Sequence, residues 1–299
     1  MKHVMGVSLG SAQRDHGVTV NLGGEECKVE RFGTNGDMER MIELIGEYDG
    51  KVDAFGLGGI DLYISAVDKR YELRDARKIA LAAKRTPIVD GSGLKHILER
   101  RIIEYLVAHT DILKGRRKVL MTCAMDRLGM AQALFKAGCD VTIGDLLYVL
   151  NLPVPLKSLK SLARVAHILA PIVVRLPFSM IYPTGERQGE NKPRQVKDFL
   201  ENEIIAGDFH FVRQYMPPEL PGKIVITNTV TEEDINYLKE RGVKTLITTT
   251  PEMGGRSFGT NIMEALLIAL AGSDGELPEE EYGRMLEELK IVPRIVDLQ

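Results

Sequence analysis

The sequence has few cysteines, no excess of charge of one sign, no long apolar run and no complete glycine fingerprint. Each absence removes a class. Cys27, Cys123 and Cys139 are dispersed and odd in number. That excludes a disulfide framework and a clustered zinc site, so no metal is expected, and it fits a reducing cytoplasm. A formal charge of −3 at pH 7 lacks the basic surface of a nucleic-acid protein. The most apolar stretch, Leu159–Val174, is interrupted by Arg164, His167 and Pro171, and is too short and too charged to span a bilayer. The opening MKHVMGVSLG has no secretory h-region. A cytoplasmic chain with no membrane or nucleic-acid partner is therefore expected. The rest is an ordinary globular composition, 44% hydrophobic and 27% charged over 299 residues, enough for one large domain or two of ordinary size.

One stretch organises the chain. Lys118–Thr122 reads as a strand. Leu128, Ala131, Leu134 and Phe135 then recur at helical spacing, Gly138 stops the helix, and Val141–Ile143 is a second strand ending at Asp145. This is a βαβ unit of the size found in dinucleotide-binding folds. In the fingerprint G-x-G-x-x-G, two glycines admit a pyrophosphate and the third lets the helix pack on the strand. The matching positions here are Ala124, Asp126 and Gly129. Asp126 reads either as a helix cap or as part of a modified nucleotide site. Asp145 stands 21 positions after Ala124, where an acidic residue takes a ribose 2′-hydroxyl and repels the 2′-phosphate of NADP. The expected cofactor is NAD, with NADP disfavoured.

The chain before this unit reads as mixed α/β. Val4–Leu9, a hairpin around Gly23-Gly24, the amphipathic helix Met38–Tyr48 and the strand Val52–Leu57 come in turn. Gly56, Gly58 and Gly59 mark a bend or a close backbone approach. Ser8, Ser11 and Arg14 lie in a polar loop that reads as a solvated connection or a receptor for a substrate carboxylate. Beyond Asp145, residues 146–200 read as an insertion. Its apolar helix packs on a partner subunit, making a homo-oligomer, or over a cleft; its polar stretch Pro177–Arg194 has the character of a lid. Strands and helices then alternate to the end, and Thr231 with Asp234 forms a capping box. The fold class expected is α/β. Residues 1–115 form an N-terminal mixed lobe; residues 116–299 form a Rossmann-like, doubly wound parallel-sheet domain with a cleft between the two. Ligands of such sheets sit outside the carboxyl ends of the strands. Those ends carry Thr122–Asp126, Asp145, Gly207–His210, Asn228-Thr229 and Thr249.

Residues 118–272 resemble the nicotinamide-binding domain of the shikimate/quinate dehydrogenases. The likeness rests on the βαβ order, IIAGDFHF after a strand, KIVITNTVTEEDINYLKERGVKTLITT and the closing FGTNIMEALLIALAG. The whole chain resembles the bacterial quinate 5-dehydrogenase type. This resemblance implies oxidation of a secondary alcohol on a small cyclic polyol acid, with hydride passing to NAD. Lys95 matches the family's catalytic lysine and Asp111 its aspartate. Ala124, Asp126, Arg127, Gly129, Asp145, Asn228 and Thr249 would hold the cofactor, and Ser8, Ser11, Arg14, Asp208 and His210 the substrate. Lys95 reads equally as a solvent-facing lysine at a helix start. Two other readings stand beside the dehydrogenase. One is a ligand-binding protein that keeps the fold without the fingerprint. The other is a non-redox enzyme with Asp208 and His210 in acid–base roles.

Overall fold

A computed structural model describes residues 1–66, 69–173, 191–253 and 256–299. In chain order the strands are β1 (Lys2–Ser8), β2 (His16–Leu22), β3 (Glu25–Gly33), β4 (Ala54–Gly58), β5 (Tyr63–Ala66), β6 (Lys69–Glu72), β7 (Ile88–Val89), β8 (Lys118–Met121), β9 (Asp140–Ile143), β10 (Ile204–Ala206), β11 (Ile224–Thr227), β12 (Thr245–Thr248), β13 (Glu252–Met253), β14 (Arg256–Ser257) and β15 (Arg294–Asp297). The helices are α1 (Met38–Tyr48), α2 (Arg74–Ala80), α3 (Ser92–His109), α4 (Leu128–Lys136), α5 (Leu159–Val173), α6 (Val196–Glu201), α7 (Phe209–Tyr215), α8 (Glu232–Glu240), α9 (Thr260–Ala271) and α10 (Glu279–Glu288). The protein is α/β, with two parallel-dominated sheets flanked by helices.

The chain divides into two units. One holds residues 1–97, 169–188 and 253–291; the other holds 98–168, 189–252 and 292–299. The expected boundary near Gly115 is thus not where the contacts divide. The chain changes unit within α3 and returns to the first unit for α9 and α10.

The first unit carries a five-stranded sheet in the order β2-β3-β1-β4-β7. Only β2 runs antiparallel, joined to β3 by the Gly23-Gly24 turn. Both glycines have positive φ, 61° and 87°, as the favoured two-residue hairpin turns require. The core packs Met5, Val7, Leu9, Met41, Ile45, Phe55, Leu57 and Ile79. Each such side chain, fully buried, contributes about 1.5–3 kcal/mol. The glycines of β1 and β4 have a specific use: α9 lies against these strands. A methyl group at Gly6 would strike the Ile262 side chain, and one at Gly56 would stand 2.8 Å from the Asn261 carbonyl oxygen. The close backbone approach expected at Gly56 is the approach of this helix.

The second unit carries a six-stranded sheet in the order β15-β12-β11-β10-β8-β9, all parallel except β15. Its core includes Leu120, Tyr148, Phe199, Ile205, Val225, Leu238 and Leu246. Thr231 caps α8 through the expected capping box with Asp234, and Asp234 also takes a charged hydrogen bond from Arg213.

The strand β15 was not expected, because Arg294–Asp297 alternates too briefly to stand out. A π-helical turn, Asp145–Val149, follows β9 directly. The apolar helix α5 buries Leu162 and Ala166, while Ile168 is exposed. Most of the expected lid, residues 177–190, lies outside the described residues. Among the described residues, no helix is long and apolar enough to cross a membrane.

Gly56→Ala should lower stability by about 1–3 kcal/mol, since β4 and α9 must part to admit the methyl group. Urea denaturation measures it. An unchanged midpoint would show that α9 does not need this glycine.

Candidate functional site

In the second unit the strand after β8 lies on one side of it and the next on the other, so β9 and β10 flank β8. This is the topological switch point where open α/β sheets bind ligands, beyond the strand carboxyl ends. Arg127 occupies it. The residue follows β8 at the start of α4 and is buried. Its Nη1 reaches Glu99 Oε1 at 2.5 Å, its Nη2 reaches Asp208 Oδ2 at 2.7 Å and its Nε lies 3.2 Å from Asp126 Oδ2. Burial opposes the charge on Arg127, but Glu99, Asp126 and Asp208 more than offset it and hold the guanidinium protonated.

Asp208 caps α7 by accepting from His210 N–H, and Asn228 Nδ2 donates to its other oxygen at 2.8 Å. Burial pushes its carboxyl up, yet Arg127 and His210 outweigh this and hold it below the ordinary value. Asn228 Oδ1 accepts from Phe209 N–H and Thr227 Oγ1, which fixes the amide orientation. Three carboxylates thus face one guanidinium. Glu99 is 1% exposed, whereas Asp208 is 16% and Asp126 29% exposed, so the latter two lie nearer the surface. Among the described residues, no group of histidine, cysteine and acidic side chains has metal-binding geometry.

The nucleotide roles take different forms. The N–H groups of Ala124 and Met125, each at 2.8 Å, donate to the two oxygens of Asp145. These amides are where the fingerprint turn would meet a pyrophosphate, and an internal carboxylate already holds them. Asp145 is buried, so it presents no carboxylate to a ribose. Asp126 pairs with Arg127, and α4 has no side-chain cap. Gly129 is buried in the first turn of α4. Thr249 is buried after β12, its N–H donated to Thr227 O.

The lysine–aspartate pair does not form. Lys95 is in the first turn of α3 and Asp111 lies two residues past its end, which separates them by on the order of 20 Å at about 1.5 Å per residue. Asp111 is 87% exposed, beside Lys114. Lys95 is buried, not solvent-facing, and stands 3.6 Å from Asp61, a residue that sequence reasoning passed over. In the same unit, Ser8 Oγ accepts from Gly10 N–H and Ser11 caps the short turn Ala12–Arg14. These two hydroxyls therefore build their own loop. Asp208 and His210 belong to the other unit. Glu99 was also missed. It sits in a helix among Ile97, Leu98, Ile102 and Ile103, and a carboxylate in such an apolar run was the signal that could have marked it.

Residues 93–298 match the family model described as a domain of unknown function, DUF8754, and residues 3–90 match another, DUF8753. The chain belongs to the DUF8754 family. No curated protein matches the sequence. Among solved structures, the chain is similar to a galactofuranose binding protein (12% identity, TM-score 0.37, covering 97% of this chain and 99% of that one). It is also similar to a Mycobacterium smegmatis protein in complex with β-D-fucofuranose (10%, 0.35, 100% and 92%) and to Entamoeba histolytica malic enzyme (10%, 0.39, 94% and 60%). Similarity this low fixes neither ligand nor activity for the present chain. The expected membership of the shikimate/quinate dehydrogenases is corrected. The models that match are the two families of unknown function, over residues 3–90 and 93–298, and Lys95 and Asp111 stand at opposite ends of one helix. The oxidoreductase assignment falls with it.

Asp145 makes a pH prediction. Burial raises its carboxyl to about 6, against the lowering effect of the Ala124 and Met125 amides. The folded value lies above the ordinary 3.8, so the folded state holds this proton more tightly. The stability linked to it is present below about pH 4 and is lost as pH rises through about 6. Urea denaturation across pH 4–7 should show wild type losing on the order of 1–3 kcal/mol relative to Asp145→Asn. Parallel profiles would contradict the assignment.

Proposed function

We propose that the DUF8754 portion is a small-molecule-binding module whose ligand is neutral and polyhydroxylated, of the sugar class. The observation that carries this reading is the Asp126–Arg127–Asp208–Asn228 array at the β8 and β10 strand ends. The turn amides that would stabilise a phosphate are held by Asp145. What lies partly exposed is a pre-oriented set of carboxylates with the Asn228 amide beside them. Vicinal hydroxyls match such a set, because each can donate to a carboxylate oxygen and accept from a neighbouring donor. Arg127 serves as the rigid centre that holds Asp126 and Asp208 in place and keeps Asp208 ionised. The reading rests on these side chains alone.

Calorimetric titration with a panel of neutral monosaccharides and their phosphate esters tests it. A neutral sugar should bind, and its phosphate ester should bind at least about tenfold more weakly, a difference of about 1.4 kcal/mol. Asp126→Ala should weaken the sugar without unfolding the protein, since this carboxylate is partly exposed. Tighter binding of the phosphate esters than of the parent sugars would overturn the proposal.

A further inference from the structure

The first unit contains a second carboxyl cluster, the buried Glu264 beside the exposed Glu276. Glu264, in α9, is 1% exposed. Tyr282, in α10, is fully buried and donates its hydroxyl to Glu264 Oε1 at 2.7 Å. The Leu277 N–H donates to the same hydroxyl at 3.2 Å. One residue earlier, Glu276 receives both contacts of Arg70 Nη1, at 2.9 and 3.0 Å, while Arg70 Nη2 donates to Ser92 Oγ at 2.7 Å. Both carboxyl groups converge on Gly93, in the first turn of α3. A methyl group there would strike Glu264 Oε1 and lie 2.5 Å from Glu276 Oε1. Gly93 thus lets the two carboxyls meet where any other residue would part them.

We propose that Glu264, Tyr282 and Glu276 form a pH-operated clasp. It fastens the segment from Leu277 through α10 to the start of α3 while Glu264 keeps its proton, and loosens as that proton leaves for solvent. The groups that face Glu264 are Tyr282, Asp90, Glu276 and the Gly91 N–H. Two are carboxylates, and the nearby guanidinium of Arg70 is committed to Glu276 and Ser92. Glu264 Oε2 is buried and finds no hydrogen-bond partner among the described residues. The Tyr282 hydroxyl and the Gly91 N–H favour the charged form, but burial outweighs them, so ionisation sets a poorly compensated charge inside the unit. Burial first, then Asp90 and Glu276, raise this carboxyl to about 8. The folded value stands above the ordinary 4.5. The clasp's stability is thus complete below about pH 4.5 and is lost as pH rises through about 8. Loosening would also free α9, whose first turn lies against the glycines of β4.

Hydrogen exchange on the full chain, with α8 of the second unit as internal reference, tests the clasp. Once corrected for intrinsic exchange, opening of residues 277–288 should become up to about tenfold easier per pH unit from pH 6, levelling above pH 8. Glu264→Gln, which keeps a carbonyl for Tyr282 but cannot ionise, should remove the pH dependence. A pH-independent wild type would overturn the proposal, as would a Glu264→Gln protein with the wild-type slope. Should that variant not fold, a carboxyl ¹³C signal assigned in wild type decides. Titration of Glu264 near pH 8 supports the clasp, and titration in the ordinary range overturns it.

Discussion

A guanidinium buried among carboxylates fixes the second unit. Arg127 joins its own turn to Glu99, 28 positions earlier, and to Asp208, 81 positions later. Removing arginine from water is unfavourable, and the pairing stands only because its partners are close and themselves hydrogen-bonded. Asp208 passes the constraint on to Asn228, and Asn228 to the backbone of α7. The loops at three strand ends therefore hold one arrangement. A pre-organised polar surface of this kind selects ligands by hydrogen-bond pattern, because its groups are oriented before the ligand arrives.

The same turn shows how its own amides are satisfied. A Rossmann-type βαβ unit leaves amides free at the end of its first strand, and a ligand phosphate satisfies them. Here Asp145 satisfies them from the end of β9. The spacing between Ala124 and Asp145 is that of a nucleotide-binding unit, but the carboxylate turns toward the amides and not outward. The βαβ architecture is kept while the turn amides are satisfied internally.

Much of the fold was legible because it rests on local signals. The apolar stripe of α1, the Gly23-Gly24 turn and the Thr231 capping box were each readable, since each is decided within a few residues. The polar residues gathered by the rule of strand carboxyl ends, Asp126, Asp145, Asp208 and Asn228, do lie at one end of the second sheet, next to Arg127. Their partners were not legible. The direction of Asp145 and the pairing of Glu99 with Arg127 depend on contacts between segments far apart in sequence. Lys95 and Asp111 were matched by a motif likeness, and the straight run of α3 between them makes the pairing geometrically impossible. The return of residues 253–291 to the first unit has no local signature, since α9 reads alike in either setting.

The most direct test of the Arg127 constraint is a double-mutant cycle with Arg127→Met and Glu99→Gln, read by urea denaturation. If the buried pair holds the strand-end loops as described, each single change is strongly destabilising. The double variant should then recover much of the loss, with a coupling energy of about 1.5–3 kcal/mol. Additive effects with no coupling would contradict the account.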